Sequence, residues 1–486
     1  MRNVLVVVVV AVLSLGTVDA FAGANEDLMT AVKAGQLEGV EKALGAGANV
    51  NAFNADGFTA ITGAYFWPEI TKLLLSKGAN PNLGPGSAVT GAAANYSTES
   101  LKLLLDAGAD PNKPTVVSSA DGIRKMVAAE RAKGKAANQG NIKAWEALLN
   151  SPAVKNAKPV EYFPLRHAVY ATSCVPCVEM LLAKGAKLDL GITDGTLMHL
   201  FADGIWPSKE HWKTNFAAVK TSLETLGMTL PAWYAATLPE DRIGTADQMV
   251  KVLMAKGLGI NQPNKGLNGT KPQTPLELTL TQGLGKRKDV MLALIANGAD
   301  VKIVNPAYGP VILQAVSCGF VEVVQAMVEK GADVNTRGTV FTNASDSSLS
   351  NSFTPLTTAA LKNNLEIVKY LIGAGANAAL VVNGRSNMKL HNANPTFGND
   401  SITCLVDARD KSALFFAVEN DNLEMVKFLI ENKAYDQRPY TLTAVHSGPV
   451  GYGAGCIGGG TYTPSKYAVV THASPSVVEL LKSQGL

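Results

Sequence analysis

The sequence predicts an all-α solenoid of stacked helix–turn–helix units, and a recurring phrase is the first observation behind that prediction. The phrase Gly-Ala-Asn/Asp closes one apolar helical run after another. Its first three glycines are 31 and 30 residues apart, and a later pair is 33 apart. A fixed period near this length is typical of repeat proteins, whose units bury their apolar faces only against one another. The copies begin at Gly47, Gly78, Gly108, Gly298, Gly331 and Gly375.

The second observation is the pattern inside one unit, residues 310–335. Val311–Val316 form a short apolar run, and Gly319 after it is a residue that tolerates the left-handed conformation of a helix end. Val321–Val328 have apolar residues at the i, i+3 and i+4 spacing of a second helix, which ends at Gly331. Because neither helix can bury its apolar face alone, we expect neighbouring units to pack together, with Val324, Leu371 and Leu429 in the core.

These units resemble the ankyrin repeat. Its Thr-Pro-Leu-His-x-Ala signature is similar to residues 354–359 and 274–278, and weaker copies begin at Phe163 and Thr196. The second-helix pattern is repeated at residues 365–372 and 423–430. Only His199 keeps the histidine of the motif in register. The resemblance implies that this histidine bonds backbone groups of its own repeat.

We count about twelve repeats across residues 25–486, some of them degenerate. One degenerate copy lies at residues 136–149. Two more are predicted between residues 196 and 256, the first with a second helix at residues 212–226 and the other beginning at Leu230. The predicted organisation is a signal peptide at 1–22, N-terminal repeats at 23–113, degenerate repeats at 114–261, and C-terminal repeats with long insertions at 262–486.

The N-terminus predicts export. Arg2 precedes the apolar run Val4–Leu15, and Ala20-Phe21-Ala22 is a small-residue cleavage site. We expect cleavage between Ala22 and Gly23, with cleavage after Ala20 or an uncleaved anchor as alternatives. The run is shorter than the about 20 residues of a membrane span, so no stable membrane insertion is expected after cleavage. The predicted location is periplasmic or secreted.

Composition narrows the classes of partner. Hydrophobic residues make up 47% of the chain, enough for a continuous core, and the formal net charge is +3 without a dense basic run. A nucleic-acid or anionic-membrane surface is therefore not predicted.

Three long segments join the second helix of one unit to the first helix of the next. In the ankyrin architecture this position is the finger edge beside the concave face, and insertions on one face often mark a binding face. The alternative is tolerated ornament, because extra loop length costs little stability. The segments are Thr336–Ser352, Leu380–Arg409 and Gln437–Thr461.

The cysteines suggest disulfides if the chain is exported. Cys404 and Cys456 lie in the last two long segments, and we predict a disulfide between them, with free thiols as the alternative. Cys174 and Cys177 form a Cys-x-x-Cys motif without a βαβ context, which favours a structural disulfide or a pair of core thiols over a redox site. Cys318 is predicted to be a small buried apolar residue.

Aromatic residues at the ends of first helices are the predicted partner-binding set, because Tyr and Trp often anchor interfaces. Packing against shortened turns is the alternative. The set is Tyr65, Phe66, Trp67, Tyr96 and Tyr170.

No catalytic, cofactor or metal site is predicted. The six histidines are scattered, without a His-x-x-x-His pair or clustered carboxylates, and the glycine-rich stretch 451–460 has no Lys-Ser/Thr after it. The predicted function is that of an exported, monomeric scaffold that binds a protein partner. The alternatives are a thiol-redox protein that uses Cys174 and Cys177, and a binder of a small ligand or envelope polymer.

Overall fold

The computed structural model describes residues 23–486 except 55–56, 118–119, 121–122, 125–126, 129–130, 132–138, 157, 191, 193, 205–243, 267–270, 283–286, 340–352, 392–400, 436–438, 447–459 and 472. The chain divides into two compact units, residues 1–259 and 260–486. Helix pairs are the building block of both units.

The first unit contains these elements in chain order: α1 (Ala24–Ala34), α2 (Leu37–Gly45), α3 (Ala60–Gly63, continued by a 3₁₀ turn at Ala64–Phe66), α4 (Pro68–Ser76), α5 (Ala88–Ala94), α6 (Thr98–Asp106), β1 (Thr115–Val117), α7 (Gln139–Asn150), α8 (Pro152–Lys155), β2 (Val160–Tyr162), α9 (Pro164–His167, continued by a π turn at Ala168–Thr172), α10 (Val175–Ala183), α11 (Leu197–Asp203) and α12 (Ala246–Ala255). The first helices of successive pairs pack on one another in the order α1, α3, α5, α9 and α11. The second helices do the same in the order α2, α4, α6, α10 and α12.

An asparagine ladder ties each turn to the next. Asn51 donates from Nδ2 to the carbonyl of Gly78 at 3.0 Å, and its Oδ1 accepts from the backbone N–H of Asn80 at 2.8 Å. Asn82 repeats both bonds with Gly108 and Asp110. The recurring Asn of the sequence therefore has a physical role, because its amide satisfies one donor and one acceptor of the following turn.

The ladder shows that residues 113–163 are not a repeat. Asn112 donates to Gly185 at 3.2 Å and accepts from the backbone N–H of Lys187 at 2.7 Å, so the ladder passes directly over the intervening segment. Helix α9 packs on α5, and α10 packs on α6. The predicted degenerate repeat at residues 136–149 is therefore wrong. That stretch is part of an insertion, whose base is closed by antiparallel pairing of β1 with β2.

Helix α12 corrects a second assignment. It packs against both α10 and α11, which makes it the second helix of the pair that begins at Thr196. The sequence had predicted two repeats across this stretch, with a separate first helix from Leu230. Residues 205–243 lie outside the described part of the chain, so both the stripe at 212–226 and the start at Leu230 fall there.

The second unit contains α13 (Pro275–Gln282), α14 (Lys288–Ala296), β3 (Val304–Asn305), β4 (Gly309–Pro310), α15 (Val311–Cys318), α16 (Val321–Glu329), α17 (Pro355–Leu361), α18 (Leu365–Gly373), β5 (Val382–His391), β6 (Ser401–Lys411), α19 (Ala413–Glu419), α20 (Leu423–Glu431), β7 (Tyr440–His446), β8 (Gly460–Tyr462), α21 (Pro464–Val470) and α22 (Pro475–Ser483). Five helix pairs stack here as in the first unit. Val324, Leu371 and Leu429 are fully buried, as predicted. The described residues thus form ten pairs, five in each unit, and the count of about twelve repeats in the whole chain stays a prediction.

The helix pairs agree with the predicted all-α repeat solenoid, and a four-stranded antiparallel sheet is added to them. Strands β5, β6, β7 and β8 lie side by side in that order. The strands come from the last two long segments, and the pair β6–β7 joins one segment to the other through partners such as Leu405 and His446. We call this the finger sheet. The last two of the predicted finger insertions therefore contain strands that pair through their backbones.

Helix starts follow the local sequence. His199 accepts from the backbone N–H of Thr196 through Nδ1 at 3.1 Å, which confirms the role that the motif implied. Glu277 takes the same place in the next copy of the motif, where its Oε2 accepts from the backbone N–H of Thr274 at 2.7 Å. Both arrangements satisfy donors that a helix N-terminus leaves open.

Candidate functional site

The connections between helix pairs are the segments that the family resemblance places at the finger edge. Short antiparallel contacts close their bases, at Phe53 with Thr59 and Gly338 with Phe353, and in the pair β3–β4. In the first unit the connections touch one another. The backbone N–H of Val116 donates to the carbonyl of Pro85 at 3.2 Å. The connections are thus ordered neighbours at the points where they leave the helices.

Large apolar side chains are exposed on these fingers. Val304 on β3 is 62% exposed and Phe53 is 55% exposed, the two highest values for large apolar residues in the described chain. Val116 and Val160, on the paired strands β1 and β2, are exposed as well. Single exposed apolar residues are common, but in each unit these lie on finger segments, which points to the fingers of each unit as contact surfaces. We call Phe53, Val116, Val160 and Val304 the apolar finger residues.

The predicted aromatic anchors are mostly in the core. Tyr65, Phe66 and Tyr96 are buried, and the Tyr65 ring fills the space beside Gly91 on the next first helix. Side chains with so little exposed area cannot anchor a partner, so for these three the structure corrects the prediction and supports packing. Trp67 is half-buried with its ring against Gly35, where a Cβ atom would clash with it. Tyr170 is half-buried too, and a binding role for these last two residues stays a prediction.

Cys174 and Cys177 form a disulfide at the start of α10. Both residues are fully buried, and Cys177 lies on the apolar side of the helix. A thiol–disulfide exchange needs access for the attacking thiolate, which the folded chain does not give. Burial therefore argues for a structural bridge.

The other cysteine predictions have different outcomes. Cys318 is half-buried, with its Sγ donating to the carbonyl of Leu280 at 3.7 Å, so it is less enclosed than predicted. Cys404 lies on β6 opposite Met388 of β5 in the backbone register. Cys456 lies outside the described residues, as does Ala22, and the predicted disulfide and cleavage site stay predictions. Gly23 precedes α1 as its N-cap residue.

A buried charged cluster lies where the finger sheet meets the helices. Lys411, the last residue of β6, is fully buried, and its Nζ is 2.6 Å from Oε2 of Glu419 at the end of α19. Tyr467 of α21 donates from its hydroxyl to Oε1 of the same carboxylate at 3.0 Å. Tyr440, the first residue of β7, packs edge-on against Tyr467 with ring centroids 4.9 Å apart. We call these four residues the buried cluster.

The surroundings of the cluster determine its electrostatics. The ammonium of Lys411 lies 4.3 Å from the ring centre of Phe416 and 5.6 Å from that of Tyr440. Burial lowers the pKa of Lys411, although the neighbouring Glu419 carboxylate opposes that shift. Burial, followed by the charge of Glu419, raises the pKa of Tyr440 and of Tyr467 well above the usual value. The tyrosines therefore remain hydroxyl donors at any physiological pH.

The sequence analysis did not predict the buried cluster or the finger sheet, although the strands of the sheet have a recognisable sequence pattern. Residues 401–406 and 440–446 are rich in β-branched and aromatic residues, which is typical of strands. Lys411 has no such signal, because a lysine before an apolar helix is normally solvent-exposed.

The described part of the chain holds no group of three or more His, Cys, Asp or Glu side chains that could bind a metal ion, and no helix in it is long and apolar enough to cross a bilayer.

Comparison with known families gives one match. The family model described as "Ankyrin repeats (3 copies)" matches residues 280–381 and 339–437. A search of curated proteins returned no significant match.

Proposed function

Because the chain is an ankyrin-repeat protein, we propose that it is a scaffold that binds a protein partner along its fingers. Ankyrin repeats generally mediate protein–protein interaction. The observation that carries the proposal is the placement of Phe53 and Val304, the two most exposed large apolar side chains among the described residues, on finger segments. Burying such side chains against a partner is favourable by about 25 cal/mol per Å² of apolar surface.

The partner is proposed to be a protein because of the kind of surface that the fingers offer. Backbone bridges between the two ends of a connection close their bases, so a partner would meet ordered segments there and lose little free energy in ordering them. The concave face beside the fingers would supply further contacts, as the family architecture implies.

Site-specific photocrosslinking tests the proposal. A photoreactive phenylalanine analogue placed at Phe53 or Val304 should crosslink the full chain to a discrete protein in a native extract. Val469 is the matched control, because it is 53% exposed but lies on α21 rather than on a finger. If only position 469 crosslinks, or if all three positions give the same unresolved mixture of products, the fingers are not the binding surface.

Substitutions on the fingers measure how much these residues contribute to binding. Phe53→Asp and Val304→Asp should each weaken capture of that protein about tenfold or more, the range of interface hot spots, whereas Val469→Asp should leave it unchanged. Replacing residues 380–409 with a short turn tests the finger sheet in the same way. Capture that survives every finger variant would contradict the proposal.

We also propose that the protein is exported. The features that support this are the N-terminal pattern ending at Ala22 and the Cys174–Cys177 disulfide, which suits an oxidising compartment. N-terminal sequencing of the exported protein should begin at Gly23. An intact Met1 in the membrane fraction would indicate an anchored protein instead.

The redox alternative keeps a direct test. If Cys174 and Cys177 served a thiol-redox reaction, mild reductant and an alkylating reagent would label them in the native protein. Because both residues are fully buried, we expect labelling only after unfolding. Binding of a small ligand beneath the last two finger segments involves side chains outside the described residues and stays an alternative.

A further inference from the structure

The buried cluster brings together the two reactants of an amide bond. The side chain of Lys411 is 0% exposed and that of Glu419 is 5% exposed, with Nζ and Oε2 2.6 Å apart. A buried ion pair of this kind is often no more stabilising than well-packed apolar residues of the same size. Stability alone therefore gives little reason for the pair.

The groups around the pair are suited to condensation. The rings of Phe416, Tyr440 and Tyr467 lie within 6.0 Å of Nζ, which places the amine in an apolar aromatic enclosure. The Tyr467 hydroxyl donates to Oε1, the other oxygen of the Glu419 carboxylate. One oxygen of Glu419 thus faces a nucleophile and the other faces a hydrogen-bond donor.

We propose that Lys411 and Glu419 form an intramolecular isopeptide bond, which joins the finger sheet covalently to the helix stack. This is a modification of the chain by its own residues and does not depend on the proposed binding function.

The step balances without an added reagent. The Lys411 ammonium gives one proton to the Glu419 carboxylate, which leaves a neutral amine and a carboxylic acid. The amine nitrogen attacks Cδ of Glu419, a C–N bond forms, and a second proton passes from nitrogen to the hydroxyl oxygen on Cδ. The C–O bond then breaks and that oxygen departs as water, so an ammonium and a carboxylate become an amide and one water molecule.

Three physical factors favour the reaction. Two groups fixed at contact distance can react with an effective molarity of about 10⁵–10⁸ M, which overcomes the unfavourable condensation of free acid and amine. Burial favours the uncharged amine, as the lowered pKa of Lys411 indicates. The Tyr467 hydroxyl stabilises negative charge that develops on Oε1 during attack, as a donor in an oxyanion hole does.

Tryptic digestion and mass measurement of the unfolded, reduced and alkylated full chain test the proposal. Trypsin does not cleave after an acylated lysine, so the linked protein should give the peptide 410–427 with the mass of one water missing. Lys427 and Glu424 form an exposed pair in the next helix, 3.1 Å apart, and serve as the internal control that stays unlinked. The proposal is overturned if protein that had folded before it was denatured and digested releases the linear peptide 412–427 in full yield.

Two variants sharpen the result. In Glu419→Gln the same attack expels ammonia, so the 410–427 peptide should lack the mass of one ammonia instead of one water. Lys411→Arg, checked for helicity by circular dichroism, should show no loss in the segment that contains residue 419. A water loss that persists in Lys411→Arg would place the modification elsewhere and reject the assigned pair.

Discussion

The insertion at residues 113–163 is an addition to the helix pairs of the first unit and the finger sheet is an addition to those of the second unit, but they are attached in different ways. The insertion leaves and re-enters through the short pair β1–β2, and the Asn112 ladder bonds pass over it. The finger sheet ends in side chains that are fully buried against the helices, including Lys411 and Tyr440. The insertion is attached to the first unit at its base, whereas the finger sheet contributes residues to the core of the second unit.

This difference teaches where substitutions should matter. An addition that shares no core residues can change without affecting the helices, because loop length itself costs little. An addition that places a charge and aromatic rings in the core makes the helices depend on it.

The largest effect is expected at the buried cluster. Glu419→Leu leaves the Lys411 amine buried without its partner carboxyl group, so the free energy of unfolding of the second unit should fall by about 3–5 kcal/mol. Denaturant titration monitored by circular dichroism measures this change. The double variant Lys411→Met/Glu419→Leu should be more stable than Glu419→Leu, because no buried charge remains, and a double variant that is no more stable would contradict the explanation. Glu424→Leu, at the exposed pair, is the control and should have little effect.

Leu371→Ala should have the next largest effect. Leu371 is fully buried on α18, so its truncation leaves a cavity that should cost about 2–5 kcal/mol in denaturant titration. Leu148→Ala, on the insertion helix α7, should change stability by only about 0.5 kcal/mol or less because Leu148 is 46% exposed. Equal losses of stability at the two leucines would contradict the distinction between the helix pairs and the insertion.

A smaller, pH-dependent effect is expected at His167, beside the base of the insertion. Its ring lies edge-on to that of Tyr162 on β2, and burial, followed by the charge of Arg166, lowers the pKa of His167 to about 4. The unfolded chain, with a pKa near the ordinary value of about 6.5, binds more protons than the folded chain between those two values. Stability should therefore be fully present above pH about 6.5 and fall by roughly 3 kcal/mol as the pH approaches 4.

The measurement is the free energy of unfolding against pH for wild type and His167→Leu. Carboxylates contribute to both curves, so the difference between the curves isolates the histidine. If the two curves are parallel between pH 4 and 6.5, the ring is not buried as a neutral base.

The smallest effect is expected when residues 118–159 are replaced by Asn-Gly. This dipeptide suits a two-residue hairpin between β1 and β2, and the helix pairs on either side already contact each other. We expect helicity to fall only by the share of the removed helices and the unfolding midpoint of the remaining stack to stay nearly unchanged. A collapse of the midpoint would show that the insertion supports the stack.

The repeat unit could be predicted from the sequence because its signals are local. Helix spacing, the residues that begin each helix and the glycine after each second helix lie within one unit, as His199 and Gly331 show. The core positions Val324, Leu371 and Leu429 follow from the same spacing. The resemblance to the ankyrin repeat added the expectation that a partner binds at the finger edge.

Which helix pairs lie next to each other could not be predicted from such local signals. Whether residues 136–149 form a repeat depends on whether Asn112 reaches Gly185, and that bond joins residues far apart in the chain. The partner-binding prediction for Tyr65, Phe66 and Tyr96 failed for a similar reason, since an aromatic residue at a helix end can turn inward or outward without any change in sequence pattern.

The sequence by itself determined the helix pairs, the repeated turn and the positions of the long connections, because each of these rests on residues close together in the chain. Only the tertiary structure decided that the last connections pair as a sheet and that Lys411 is buried beside Glu419. Strand pairing and the burial of a charge depend on the partner that arrives from elsewhere in the chain, and a lysine has the same side chain whether its neighbour is water or a carboxylate.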